Sequence, residues 1–173
     1  MTSKIFITGF MGSGKTYWAK LWAEKTSLIF FDLDEQIETT VGETVAQIFE
    51  KKGEGYFREM ERYVMRKFSL RDNFILACGG GTPCFFDNLQ WMNEHGTTIY
   101  LQASPNEILD RIINETYERP LLNKVNQSEL LFFIEQKLKE REPFYKQAKH
   151  ILDTNLITID SLSEIINKVN KQA

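Results

Sequence analysis

The run Gly9-Phe10-Met11-Gly12-Ser13-Gly14-Lys15-Thr16 matches the pattern GxxxxGK[ST] at every position. It follows the β-rich residues Ile5-Phe6-Ile7 and precedes a helical stretch, the context that gives the pattern its physical meaning. Glycines let backbone N–H groups turn inward around phosphate oxygens, and the N-terminus of the following helix adds a partial positive charge. Gly12, Ser13 and Gly14 thus belong to a candidate phosphate cradle. Lys15 is expected to reach the β- and γ-phosphates of a nucleotide such as ATP, and the Thr16 hydroxyl to ligate Mg²⁺. A chain that opens on a strand, this loop and a helix has little choice but an α/β fold.

The remaining pattern agrees. Short β-rich runs alternate with longer amphipathic stretches, which predicts an α/β fold with a parallel sheet. Strands are expected near Lys4–Thr8, Leu28–Phe31, Asn73–Cys78, Thr97–Gln102 and Lys149–Asp153. Ser104-Pro105-Asn106-Glu107 reads as a capping box with proline at the first helical position. Asn126 with Glu129, and Ser161 with Glu164, read as further N-terminal caps. Apolar residues at 130, 131, 134 and 138 mark one face of a helix from about Gln127 to Lys146. The segment from Asn114 to Val125 is polar and irregular around Arg119-Pro120, a surface connection or a mobile lid. A length of 173 residues with no linker or repeat suits one domain spanning 1–173.

Composition removes several classes of function. A net charge of −3 argues against nucleic acid as a partner, and it means that anionic ligands must be held by a few well-placed cations. Apolar runs such as Leu130 to Ile134 are far too short for a membrane span, and the chain enters Lys4-Ile5-Phe6-Ile7 without a leader, so a cytoplasmic address is expected. Cys78 and Cys84 do not form a CxxC pair, and His95 and His150 stand alone, which leaves no zinc site or histidine-based triad.

A phosphate cradle does not define the acceptor. Asp32 and Asp34 follow the second strand, where the ligand crevice of a parallel sheet opens. Alternation in an extended segment would point both to one side; the other reading is that they cap the next helix, and one carboxylate could do both. In a helix over Gly53 to Glu61, Arg58 and Glu61 share a face, so Glu61 could orient the guanidinium or the pair could be solvated surface. Gly79-Gly80-Gly81 follows the third strand and either permits close backbone approach to a ligand or forms a plain turn.

Taken in order, GFMGSGKT, the DLD beginning at Asp32, GEGYFREME beginning at Gly53, ACGGGTP beginning at Ala77, ERPLL beginning at Glu118 and REPFY beginning at Arg141 make the chain resemble the shikimate kinase family over almost its full length. That resemblance implies a P-loop three-layer fold with a five-stranded parallel sheet flanked by helices. It also implies a substrate-binding helical region at about 33–61 and a mobile lid at about 114–125. The implied activity is transfer of the γ-phosphoryl group of Mg·ATP to the 3-hydroxyl of shikimate, by a monomer serving aromatic amino-acid synthesis. Asp34 would bind and aim the shikimate hydroxyls, Arg58 and Arg141 would hold its carboxylate, and Gly79, Gly80, Gly81, Phe49 and Phe57 would line its pocket. Asp32 would support Mg²⁺ through water, Arg119 would reach the phosphates from the lid, and Arg111 would lie against adenine. The segment after Asp153-Thr154-Asn155 lacks the proline that some relatives place beside adenine. A gluconate kinase would share the cradle without the two arginines joined to the triple glycine, and a non-catalytic nucleotide-binding regulator would share it without keeping Lys15, Thr16, Asp32, Asp34 and Arg119 together.

Overall fold

The computed structural model describes residues 3–117 and 126–172. Five strands form one parallel sheet: β1 (Lys4–Thr8), β2 (Ile29–Asp32), β3 (Phe74–Ala77), β4 (Thr97–Gln102) and β5 (His150–Asp153), in the spatial order β2-β3-β1-β4-β5. All five expected strands are present, with ends shifted by at most a residue or so. The chain order reverses at β1, so its C-terminal end lies at the switch point where an open α/β sheet forms its crevice.

Alternation along the strands sorts the core into two layers. Ile5, Ile7, Ile75, Ala77, Ile99 and Leu101 face α1 (Lys15–Thr26) and α7 (Ser161–Gln172), where Trp22, Leu162 and Ile165 are buried. Phe6, Phe74 and Leu76 face the other way, onto α2 (Leu33–Val41), α3 (Val45–Lys67) and α4 (Asn88–His95). Tyr100 packs beside Ile108 of α5 (Pro105–Tyr117) and Ile134, Leu138 and Tyr145 of α6 (Gln127–Tyr145). Strands buried on both faces read as continuous apolar runs, as the inner strands β1 and β3 do.

Local chemistry sets the helix starts. Gly14 adopts φ 87° immediately before α1, a left-handed conformation that glycine enters without a Cβ penalty. Thr44 and Gln47 close a reciprocal capping box on α3. In the Ser104 box, the Glu107 N–H donates to the Ser104 hydroxyl at 3.3 Å and the Ser104 N–H to Glu107 at 2.8 Å. The Asn126 side chain accepts the Ser128 N–H at 3.0 Å, so that cap is also present. Ser161 is different. It is the first residue of α7, the Glu164 N–H donates to the Asp160 carbonyl, and the Ser161 hydroxyl accepts the Thr158 N–H at 2.9 Å. The cap position therefore falls on Asp160. Residues 114–117, expected at the start of the lid, continue α5, and the rest of the lid, including Arg119, lies outside the described residues. Among the described residues no helix is long and apolar enough to cross a membrane.

The joint between α4 and β4 has no spare volume. A Cβ on Gly96 would run into the Lys4 carbonyl oxygen of β1 and stand 2.8 Å from the Phe6 ring. Gly96→Ala should therefore destabilise by about 1–3 kcal/mol through overpacking. For a chain of this size that lowers Tm by roughly 2–4 °C per kcal/mol, measurable by thermal unfolding.

Candidate active site

Two glycine loops meet at the C-terminal edge of the sheet. The cradle leaves β1 and the triple glycine leaves β3, and a Cβ on Gly80 would stand 3.5 Å from the Gly9 carbonyl oxygen and 3.4 Å from the Met11 amide nitrogen. Within the cradle the Lys15 ammonium donates to the carbonyls of Gly9 and Phe10 at 2.9 and 2.8 Å. Burial pushes the Lys15 amine down to about 8, against the opposing pull of nearby Asp34 and Asp32. A lysine held at the loop's own carbonyls by a strained charge is poised to exchange those bonds for anionic oxygens.

The two aspartates do not sit as an alternating extended pair. Asp32 ends β2, and Leu33 already begins α2, so Asp34 is a first-turn helical residue. Asp32 caps that helix by accepting the Asp34 N–H at 3.0 Å, while its other oxygen accepts the Thr16 hydroxyl at 3.2 Å. One carboxylate thus serves both the helix start and the cradle. Asp34 Oδ1 is buried without a hydrogen-bond partner, and it would lie 3.5 Å from a Cβ on Gly79. A hydroxyl brought to this point would satisfy it.

On the far side of the triple glycine stand two arginines. Arg58 is buried, and its Nη1 donates to Glu61 at 3.0 Å while Nε and Nη2 reach Glu54 at 3.2 and 3.0 Å. Its guanidinium lies over the Phe85 ring at 4.2 Å and the Phe57 ring at 5.1 Å. A Cβ on Gly81 would stand 2.7 Å from both terminal guanidinium nitrogens, so only glycine lets Arg58 cross the loop there. Arg141 comes from α6, with Nη1 placed 3.5 Å from a Cβ on Gly80 and its guanidinium 5.7 Å from the Phe10 ring centroid. Exposed Phe49 packs against buried Phe57 with ring centroids 4.7 Å apart, continuing an aromatic wall beside Arg58.

Arg111 lies across the cradle from these groups. Its Nη1 donates to the Gly12 carbonyl at 3.3 Å, and Glu107 holds it from one helical turn earlier at 3.6 Å. The same Glu107 accepts the Thr154 hydroxyl at 2.9 Å, which ties α5 to the loop after β5. Sequence reasoning gave no role to Glu54, Phe85 or Tyr145. Tyr145 donates to the Gly80 carbonyl at 2.5 Å, and its position four residues after Arg141 was the available signal for that contact.

Thr16 and Asp32 offer hard oxygen donors of the type Mg²⁺ takes, and a Mg²⁺ shell would be completed by phosphate oxygens and water. Among the described residues no group of three or more His, Cys, Asp or Glu is arranged to hold a metal ion on its own.

A glycine-rich loop of the phosphate-binding pattern, a buried carboxylate oxygen without a partner and two guanidiniums at the triple glycine are the arrangement expected of a P-loop kinase. The family model described as shikimate kinase matches residues 11–171. A shikimate kinase from Phocaeicola vulgatus is 38% identical, with 96% of this chain and 99% of that protein covered. The crystal structure of shikimate kinase from Bacteroides thetaiotaomicron superposes with a TM-score of 0.87 at 36% identity, covering 99% of each chain. Shikimate kinase from Acinetobacter baumannii in complex with shikimate superposes at 0.79 and 31% identity, covering 99% of this chain and 94% of that one. This chain belongs to the shikimate kinase family.

Asp34 imposes a cost on the folded state. Burial, then the Asp32 and Glu61 carboxylates, push its carboxyl from 3.8 up to about 6. Between those values the folded chain binds more protons than the unfolded chain, so this group's contribution to stability falls as pH rises across the window. Asp34→Asn should raise stability at pH 7 by about 1–2 kcal/mol and by nothing near pH 3, where both states hold the proton. Denaturant unfolding of the two proteins at both pH values checks the sign.

Proposed function

We propose that the chain transfers the γ-phosphoryl group of ATP to the 3-hydroxyl of shikimate, giving shikimate 3-phosphate and ADP. The observation that carries this reading is the convergence of Arg58 and Arg141 on the triple glycine, beside the unpartnered oxygen of Asp34. Two planar guanidiniums suit a carboxylate better than a point charge would, and they select an acid despite the net charge of −3. Membership of the shikimate kinase family supports the same acceptor.

Each residue has a task that follows from its place. Cradle N–H groups and Lys15 would hold the phosphates; Arg111, which donates to the Gly12 carbonyl, would lie against adenine in this reading. Bound Mg²⁺, held at Thr16 and Asp32, would neutralise phosphate charge. Asp34 aims the acceptor hydroxyl. As the new P–O bond forms and the bond to ADP breaks, the hydroxyl proton passes to Asp34, whose raised affinity for protons makes it a better acceptor than an ordinary carboxylate. The transition state is loose, so positioning and charge account for most of the rate.

An assay of ADP release over shikimate, gluconate and nucleoside monophosphates tests the acceptor directly. Turnover with shikimate alone is expected, and a preference for gluconate would overturn the reading. Arg58→Lys keeps the charge and loses the fork. Losing one charge-assisted hydrogen bond, about 1.5–3 kcal/mol, should raise the shikimate Kd roughly 10- to 150-fold while leaving ATP affinity within about twofold by calorimetry. Because Asp34 must be ionised to take the proton, kcat/KM for shikimate should fall about tenfold per unit below a pH of about 6. A pH–rate profile flat down to pH 5 would remove Asp34 from that role.

A further inference from the structure

Thr82 follows the triple glycine and is completely buried beside Arg58 and Glu61. It begins a 3₁₀ turn, Thr82–Cys84, directly after the triple glycine. Its main chain is fixed at both ends: the N–H donates to the Gly79 carbonyl at 3.1 Å, and the carbonyl accepts the Asn88 side-chain amide at 3.0 Å. Asn88 is itself buried at the start of α4, so the turn cannot drift. The hydroxyl that this scaffold presents donates to Glu61 Oε1 at 2.6 Å.

Glu61 has no solvent exposure, and a carboxylate withdrawn from water stays ionised only while its oxygens are hydrogen-bonded. One oxygen has Thr82 and the other has Arg58 Nη1. Arg58 is shared with Glu54, which accepts Nε and Nη2 at 3.2 and 3.0 Å and whose side chain is 56% exposed, one turn toward solvent. The direction of the guanidinium is thus decided between a buried carboxylate and a wet one. We propose that Thr82 is a positioning residue for the acid-binding arginine: its hydroxyl holds the Glu61 carboxylate in the orientation that keeps Arg58 drawn inward across Gly81. Without that donor Glu61 takes up a proton more readily, its grip on Arg58 weakens, and the guanidinium turns toward Glu54. The groups facing Glu61 are Arg58 on its own helix, Asp34 from α2, Arg141 from α6, Cys78 at the end of β3 and Cys84 in the turn. Only the two arginines favour its charge, and burial already pushes its carboxyl up.

The assignment rests on the shikimate reading for its kinetic consequence but not for its chemical one, and two measurements separate them. Thr82→Val keeps the shape and loses the donor, while Thr82→Ser restores the donor; Thr82→Ala replaces the valine variant if circular dichroism shows the latter unfolded. Carbon-13 NMR of labelled glutamate side chains should show the Glu61 carboxyl titrating at least about one unit higher in Thr82→Val than in the wild type and unchanged in Thr82→Ser. In steady-state assays Thr82→Val should raise the KM for shikimate at least about 5-fold, with the KM for ATP within about twofold and Thr82→Ser near wild type. A Glu61 titration unmoved by Thr82→Val overturns the proposal whatever the acceptor is. So does a serine variant as impaired as the valine one, since the methyl and its packing would then be what matters. Wild-type protein inert toward shikimate would sink the acceptor assignment alone, and the titration would still decide the role of Thr82.

Discussion

The parallel pairing of β1 with β3 is the interaction on which the site depends. Ile7 lies opposite Ala77, and the Cys78 N–H continues the ladder to the Ile7 carbonyl at 2.9 Å. Both strands therefore end at the same level, and the loops that leave them emerge in contact. A one-residue slip would turn Phe6 and Leu76 out of one core layer and Ile5 and Ile75 out of the other. It would also part the cradle from the triple glycine. Register, set by apolar burial on both faces, is what brings the nucleotide side and the acceptor side within reach of each other.

Around that seam the chain keeps polar groups in places that cost stability. Lys15 is depressed by burial, Asp34 and Glu61 are raised by it, and Asp34 retains an oxygen with no partner. Asp34 lies within electrostatic reach of both Lys15 and Glu61. The offset comes from the apolar layers beneath them, where Phe6, Phe74, Leu33, Ile37 and Ile48 are fully buried. Catalytic sites are where such perturbed groups accumulate, because a charge that is comfortable in the resting protein has little reason to engage a ligand.

The two arginines proposed to bind the acid show how a site is assembled from distant segments. Arg58 is aimed by its own helix, by the turn after β3 through Glu61, and by the absence of a side chain at Gly81. Arg141 arrives from α6, more than eighty residues later in the sequence, and the same helix sends Tyr145 to the Gly80 carbonyl. The triple glycine is therefore a surface that guanidiniums from two helices approach closely, a role that a plain turn would not need.

Much was legible from local pattern. The cradle, the five strands, the Ser104 and Asn126 caps and the amphipathic face of α6 depend on hydrogen bonds and periodicities spanning a few residues, and the sequence states those directly. Of the two readings of Asp32 and Asp34 the capping one holds, with Asp32 serving both helix and cradle, and the alternating one fails because that cap starts the helix two residues earlier than strand alternation allows. Ser161 was misread for a similar reason, since Asp160 beside it occupies the cap. The amino-acid order by itself determined that a loop of the phosphate-binding pattern would follow the first strand of a parallel sheet; that this strand is the central one came from the structure. Only the tertiary structure decided that Arg58, Glu61, Thr82, Gly81 and Arg141 would gather around one loop, and that burial would raise the Asp34 carboxyl to about 6. Burial and convergence are properties of packing between elements far apart in the chain, and no local pattern encodes them.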